Sequence, residues 1–594
     1  MSAGNDNYEF MKTNIPQGIN EYSPYIDKQY NGFINDLNSA VYTNTSLSLV
    51  QFDLGQIYNS QKYTNTEDLF LVIPITMAAA FSTGSTAVAP VAGNSALLSM
   101  KNNFVNLIHQ ADLQINGKTI ESTQPYINIA KNFQMLSEMS VGDLATTGYT
   151  LGFSDVLDNP RSVMWNSNLT TLSGNGFTNN RPFNPYSTLT STQGAGNRVQ
   201  TSLQPQQNKG TINDSIGFKV SRYADTTAGG QFNSIYGGNS SNIMTYTQLT
   251  NEFRPTYQVL STNYMVWYDY AVIRLSTVFE SLANIGLIKK FDCTLRLWIN
   301  TGTLNVTVSG PNTTTPGYSL TAANNSFTNT VPFTVNYLND TSANGGIPAT
   351  TTNIVAGLYI NKPPSTTYAG INLSTAGASH PMPACRIYFS QIQLNPEKSL
   401  KYIETNRNKR VCYRTILANQ YNNIGAGNSF NQLVNSGIVH PTAILIVPYI
   451  SSQLTGAFSD YAWKSPFDTC PATGHPISLI NLQVSVGGVN QLQSTLNYNY
   501  ENFIEQVSLA EQLTSSDFGV TVGLFNQQFW EMSKMYFVNI ERAANADKIT
   551  PRNVNISFAN NTNVAIDVLT FIWYSDQITI DIESGLVTKV AENA

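Results

Sequence analysis

The chain has 594 residues, of which 41% are hydrophobic and 11% aromatic, enough to fill sizeable cores and to exclude a chain disordered for want of apolar groups. Charged residues are only 11%, against about 25% in an ordinary soluble domain, and Asn, Thr, Ser and Gln take their place, a balance that disfavours long amphipathic helices and an all-helical fold. A formal net charge of −6 provides no field that would draw in polyanions, which excludes avid nucleic-acid binding by the surface at large.

Residues 1 to about 40 mix Tyr, Asn, Pro and Gly with both charges and keep no period, so they read as an N-terminal arm or an edge segment. Asp6, Glu9, Glu21, Asp27 and Asp36 outnumber Lys12 and Lys28 there, which argues against a basic arm that condenses a genome. The opening MSAGNDNYEFMKTN lacks the basic and apolar regions of a secretory signal, and export by that route is not expected. The pattern changes at Ser46. Ser46 to Phe52 alternates and Asp68 to Thr76 (DLFLVIPIT) is a continuous apolar run, both expected as strands of a buried sheet. Leu69 to Phe81, with Pro74 inside it, is too short for the roughly twenty residues a membrane helix needs, and no membrane span is expected. Ala111 to Ile115 then runs into Asn116-Gly117, a strong hairpin signal. A helix is expected next, with Thr123 as cap, Pro125 in its first turn, and Tyr126, Ile129, Ala130, Phe133 and Leu136 forming its apolar stripe.

The second half repeats this order. Thr442 to Ser451 matches the Ile73-Pro74 run through Val447-Pro448; Asn481 to Val484 matches Asp112 to Ile115 and runs into Gly487-Gly488; Tyr500, Phe503, Ile504, Val507 and Ala510 supply a second helical stripe. Two copies of one element order indicate a duplicated domain, with the boundary near Asn395 to Arg407. The step from Leu113 to the aromatic run Tyr264 to Tyr268 is about 150 residues, whereas Leu482 to Met535-Tyr536-Phe537-Val538 is about fifty. The first copy therefore carries long excursions, at about 150–255 and, between Cys293 to Trp298 and Cys385 to Phe389, at about 301–382. Strands are further expected at Asn553 to Phe558, Val568 to Tyr574 and Gln577 to Ile582.

Catalytic machinery is not evident. His109, His380, His440 and His475 are isolated, no zinc or calcium pattern occurs, and there is no phosphate loop or nucleophile elbow. Cys293, Cys385, Cys412 and Cys470 lack C-x-x-C spacing and read as buried small hydrophobes of a protein folded in a reducing compartment. Asp581 and Glu583 are the nearest approach to a carboxylate pair, as alternate residues of a strand, but they read far better as a solvated strand face. Lys398, Lys401, Arg407, Lys409 and Arg410 form the one basic cluster, diluted by Glu397 and Glu404, and read as an interdomain connector. No residue is assigned a catalytic, cofactor-binding or metal-binding role, and the chain is expected to be neither an enzyme nor a cofactor carrier.

Certain residues carry a likeness. In the second half these are Ser465-Pro466-Phe467, Gly487-Gly488, Asn499-Tyr500-Glu501-Asn502-Phe503, Trp530 with Tyr536, Glu541-Arg542, and Ile580 through Gly585; in the first, Ile273-Arg274-Leu275 through Phe279, Leu287 to Lys290, and Trp298-Ile299-Asn300. In this order they resemble the major capsid proteins of the double jelly-roll viral lineage, most closely those of virophages and polinton-like viruses. The resemblance implies an all-β chain of two tandem eight-stranded jelly rolls with short helices: an arm over 1–40, a first jelly roll over 41–400 with the long insertions, and a second over 401–594. It also implies a homotrimer shaped as a pseudo-hexagonal capsomer, neighbouring capsomers, vertex (penton) and minor capsid proteins as partners, and an icosahedral virion shell assembled inside the infected cell. DNA would be held by enclosure, without sequence-specific binding. The excursions would form outward towers that lock the trimer, and no cleavable C-terminal extension is expected. A β-rich trimeric fibre, adhesin or glycan-binding surface protein shares this composition, and a glycan-cleaving enzyme using Asp581 would require a cleft with paired acids.

Overall fold

The computed structural model describes, with short interruptions, residues 26–143, 258–451, 477–540 and 551–589. The excursion at 150–255, Cys470, His475 and the Ser465-Pro466-Phe467 motif lie outside the described residues. In chain order the first half runs β1 (Ile26–Asn35), β2 (Leu47–Asp53), β3 (Phe70–Thr83), β4 (Ile108–Ile115), β5 (Lys118–Ser122), α1 (Ile127–Glu138), β6 (Tyr264–Arg274), α2 (Glu280–Ile285), β7 (Cys293–Asn300) and β8 (Arg386–Leu394). Helix α3 (Pro396–Asn406) leads into the second half: β9 (Asn408–Ile424), β10 (Ser429–Ile438), β11 (Pro441–Ile450), β12 (Leu479–Val486), β13 (Val489–Asn490), α4 (Tyr500–Glu511), β14 (Tyr536–Asn539), β15 (Arg552–Asn560) and β16 (Ile566–Asp581).

Pairing exposes the duplication directly. The first half forms two sheets ordered β1-β8-β3-β6 and β2-β7-β4-β5; the second forms β9-β16-β11-β14 and β10-β15-β12-β13. Adding eight to every label turns one half into the other. Each half thus weaves its eight antiparallel strands between two facing four-strand layers, the jelly-roll arrangement. Alternation explains which side is inside: Val50 and Phe52, Leu71 and Ile73, Leu113 and Ile115, Leu295 and Leu297 are all buried between the first pair of sheets. Burial of one such side chain contributes roughly 1.5–3 kcal/mol. The two hairpins close alike, Ile115 opposite Lys118 and Val486 opposite Val489, with left-handed residues at Asn116-Gly117 and Gly487-Gly488. Counted from these turns, Leu113 corresponds to Val484, two residues along from the Leu113 to Leu482 match expected from sequence; the slip preserves the face.

Prolines inside strands normally cost a ladder bond, yet Pro74 and Pro448 sit where none is lost. On its second side β3 pairs with β8 over residues 70–72 and with Thr352–Ile360 over 75–82; Pro74 falls where the neighbour changes, its carbonyl accepting the Asn361 amide while no amide is needed from it. Pro448 lies beyond the last residue of β11 paired to β14, Ile446.

Several expectations are corrected. Residues 26–35, within the stretch read as an arm or an edge segment, form an edge strand, β1, paired along β8. Its period was hidden because an edge strand packs on one face only, and Ile34 is its single fully buried apolar residue. Val568 to Tyr574 and Gln577 to Asp581 are not two strands but parts of the one long β16, and Ile582 lies just beyond its end. Helix α1 starts after Tyr126, which holds a φ of 70°; Pro125 lies outside the helix, and Thr123 is not its cap. The Thr123 hydroxyl instead bonds the amide and carbonyl of Ala111, fastening the end of β5 to β4. The excursion at 301–382 builds sheet where described: Gly302–Ser309 lies between Ser319–Asn325 and Thr352–Ile360, extending the first sandwich's larger sheet past β3.

Candidate functional site: the seam between the two sandwiches

Helix α1 belongs by sequence to the first sandwich but lies against the outer face of the second. Residues 127–133 of α1 are all buried, which an amphipathic surface helix never achieves. Its Phe133 ring has Phe537 at 5.3 Å, Phe525 at 5.4 Å, Trp573 at 6.2 Å and Phe503 at 6.3 Å, every one from the second half. Phe537 and Trp573 sit on the side of β14 and β16 that faces away from the second sandwich's interior, whereas Tyr536 points inward to bond Leu479 and Ile477. One apolar core therefore runs through both halves.

Polar contacts line the rim of this seam. Arg414 on β9 bonds Glu280 of α2 at 3.1 Å and approaches Glu138 of α1 at 3.8 Å. The Tyr413 hydroxyl donates to the carbonyl of Ile120, Lys409 to that of Ile285, and Lys118 to that of Val587. Gly523 takes a φ of 66° and presses its α-carbon against the last carbonyls of α1, where a β-carbon would come within 2.3 Å of the Ser137 oxygen. Leu524 donates to the Leu136 carbonyl, closing that helix end with backbone from the other half. Behind the rim Glu121 and Lys131 are both buried. Burial pushes the Glu121 carboxyl up to about 7, opposed by hydrogen bonds from the Ser281 hydroxyl and amide and by Lys131. Burial likewise pushes the Lys131 ammonium down, with Glu121 and Glu280 pulling it back.

The residues singled out from sequence do not meet at one place. Asp581 is the last residue of β16 and Glu583 lies in the turn beyond it, so they are not alternate strand residues. Asp581 accepts the amides of Glu583 and Ser584 and takes Gly585's amide on its own carbonyl, shaping that turn. Partial burial pulls its carboxyl upward, but the Ser584 and Glu583 amides and Arg407 hold it below the usual range. His109 is buried against Tyr126, and burial pushes its imidazole down to about 4. His380 packs edge-on against Tyr270 and accepts the Met382 amide at Nδ1; His440 occupies a left-handed turn position between β10 and β11. Cys293 and Cys385 are buried, but Cys412 is exposed, because β9 is an edge strand there. Of the basic cluster, Lys401, Arg407 and Arg410 are exposed on α3 and the start of β9, and Lys409 is committed to the seam. Among the described residues no group of three metal-ligating side chains comes together, and no helix is long and apolar enough to cross a membrane.

Sequence reasoning found Phe133 as a helix-stripe residue but not that its partners lie 400 residues on. Nothing local in the sequence ties Phe133 to Phe503, Phe525, Phe537 and Trp573, which are spread through the second half. Glu121 and Lys131 were missed; Lys131 inside the apolar run Ile127 to Leu136 was the available clue.

Strand order and register place the chain in the double jelly-roll class. No family model and no curated protein matches it. Among solved structures it is similar to a chain of the Sputnik virophage cryo-EM structure, with 9% identity, a TM-score of 0.43, and coverage of 98% of this chain and 91% of that one. It is also similar to the mavirus major capsid protein (10%, TM-score 0.40, 97% and 92%) and to a chain of the PBCV-1 virus capsid (9%, TM-score 0.33, 97% and 99%).

Proposed function

We propose that this chain is the major capsid protein of an icosahedral DNA virus of the virophage or polinton-like type. The observation that carries the reading is the exact-in-order repeat of eight strands within one chain, fused through a shared core: two equivalent lobes per chain are what a shell of six-lobed trimers requires. A charge-poor surface supports it, since copies can pack without strong like-charge repulsion and Asn, Gln, Thr and Tyr make adaptable wet contacts. Many weak, repeated interfaces then sum to a stable shell. Trimers would join neighbouring capsomers, vertex and minor capsid proteins, with the genome held by enclosure.

Light scattering of purified protein should give a trimer, and electron microscopy at high concentration should show shells or hexagonal sheets. A protein that remains monomeric under all such conditions overturns the reading. The glycan-cleaving alternative loses its candidate acid, because Asp581 is committed to its own turn.

A further inference from the structure

The seam inside the chain is a one-way contact: the helix of the first jelly roll covers the sheet of the second. The complementary surfaces, the sheet of the first and the helix of the second, are both left open among the described residues. On the first sheet, Phe33 of β1, Tyr388 of β8, Phe70 of β3 and Arg274 of β6 stand directly opposite one another in a single cross-strand row. They share the outer face, since their chain neighbours Ile34, Ile387, Leu71 and Ile273 are buried inside the sandwich. The corresponding crossing in the second sheet, Ile416, Trp573, Ala443 and Asn539, is at most 5% exposed. The first-sheet row is open instead: Phe33 is 49%, Tyr388 38% and Phe70 37% exposed, bordering a groove of about 500 Å³. Three aromatic rings in register on an outer sheet face form the kind of patch that marks an interaction site.

Helix α4 shows the matching deficit. Its counterpart α1 is buried on almost every side, whereas α4 presents Glu501, Glu505 and Leu509, one turn apart, to the surface, and Leu509 is 44% exposed. Charge fits the pairing as well. Within the chain the sheet supplies Arg414 and the helices supply Glu138 and Glu280. On the open surfaces the sheet's available cation is Arg386, 4.5 Å over the Phe33 ring beside the row, since Arg274 within the row is already paired with Glu67 and Asp68 borders the groove. The open helix again supplies the acids, carrying no basic residue from Tyr500 to Glu511.

We propose that the Phe33-Tyr388-Phe70 row receives the Glu501-Glu505-Leu509 face of α4 from a second copy of this chain, repeating between chains the helix-on-sheet contact already made within one. The contact is heterologous, so it propagates head to tail and closes into a ring when the rotation per copy allows. Aromatic residues at the centre and charges at the edge match the anatomy of specific protein interfaces. The proposal rests on the shell reading and specifies where its trimer is held.

Substituting Phe33→Asp with Tyr388→Asp should weaken self-association by about tenfold or more, giving monomers by light scattering at concentrations where the unmodified chain is trimeric, with an unchanged circular dichroism spectrum. Arg386→Glu should weaken it too, and adding Glu505→Arg should restore it. Independently of folding effects, a chain carrying Phe33→Cys, Leu509→Cys and Cys412→Ser should form disulfide-linked multimers on oxidation, while either cysteine alone should not reproduce that ladder. If the aspartate variants associate like the unmodified chain and the cysteine pair does not cross-link, this interface is wrong while assembly, and with it the shell reading, stands. If those variants instead lose only binding to a glycan array, the row serves a carbohydrate and the proposal fails. An unmodified chain that never associates overturns both.

Discussion

The Phe133 ring of the first jelly roll lies 5.3 Å from the Phe537 ring of the second, nearly parallel at 19°. A single side chain from one fold thereby completes the outer layer of the other. Truncating it with Phe133→Ala should cost about 3–5 kcal/mol, the range for a fully buried aromatic. The vacated space lies between the halves, so calorimetry should show the single unfolding transition broadening or splitting in two. A cost below 1 kcal/mol with one sharp transition would show that the halves are joined elsewhere.

Gly523 offers a sharper test of the same seam. Alanine there needs a left-handed backbone and places its β-carbon 2.3 Å from the Ser137 oxygen and 2.4 Å from the Leu136 oxygen. Gly523→Ala should lower stability by more than the roughly 1 kcal/mol that such a conformation alone costs, whereas Gly117→Ala, left-handed but with open space around it, should show only the conformational cost. Equal losses in denaturant titrations of the two variants would contradict the close approach at 523.

Glu121 predicts stability that declines with rising pH. Its folded-state value of about 7 lies above the ordinary 4.5, so the folded chain holds the proton more tightly. The stabilisation is full below pH 4.5 and is lost as pH rises through 7, amounting to at most about 3 kcal/mol. Glu121→Gln should remove this contribution, so that between pH 4.5 and 8 the urea midpoint of the variant rises relative to that of the unmodified chain. A steeper decline in the variant would reverse the assignment.

His109 has the opposite sign. Its folded value of about 4 lies below the ordinary 6.5, so its contribution is present above pH 6.5 and lost as pH falls through 4. His109→Gln should remove that acid-side loss. Because the two windows overlap, the unmodified chain should show a weaker pH dependence between 4.5 and 6.5 than either single variant, and equal slopes in all three would refute the pair of assignments.

How much of this was legible in sequence depends on the range of the interaction that decides it. Hairpin turns at Asn116-Gly117 and Gly487-Gly488 declare themselves because left-handed backbone needs those residues. The Ile73-Pro74 and Val447-Pro448 runs do fall on corresponding strands, but one residue out of step: Pro74 shares the outer face with Phe70, whereas Pro448 shares the inner face with Ile446, which lies opposite inward-pointing Tyr536. Edge strand β1 stayed hidden, since with one packed face its alternation is faint. The start of α1 was misplaced because Thr123, a good cap by type, is taken by Ala111 of a neighbouring strand. The seam was invisible for a related reason: whether an apolar helix face meets its own sheet or the next one is a matter of tertiary position, to which local periodicity is blind.

Pro74 marks a natural graft point. Below it β3 belongs to the sandwich; above it the same strand leaves its β8 neighbour and joins the added layer formed by Thr352–Ile360 and Gly302–Ser309. On this side Pro74 keeps only a carbonyl bond, from the Asn361 amide, and lacks the amide that would tie it to β8, so the strand changes neighbours there without disturbing the register of the sandwich beneath.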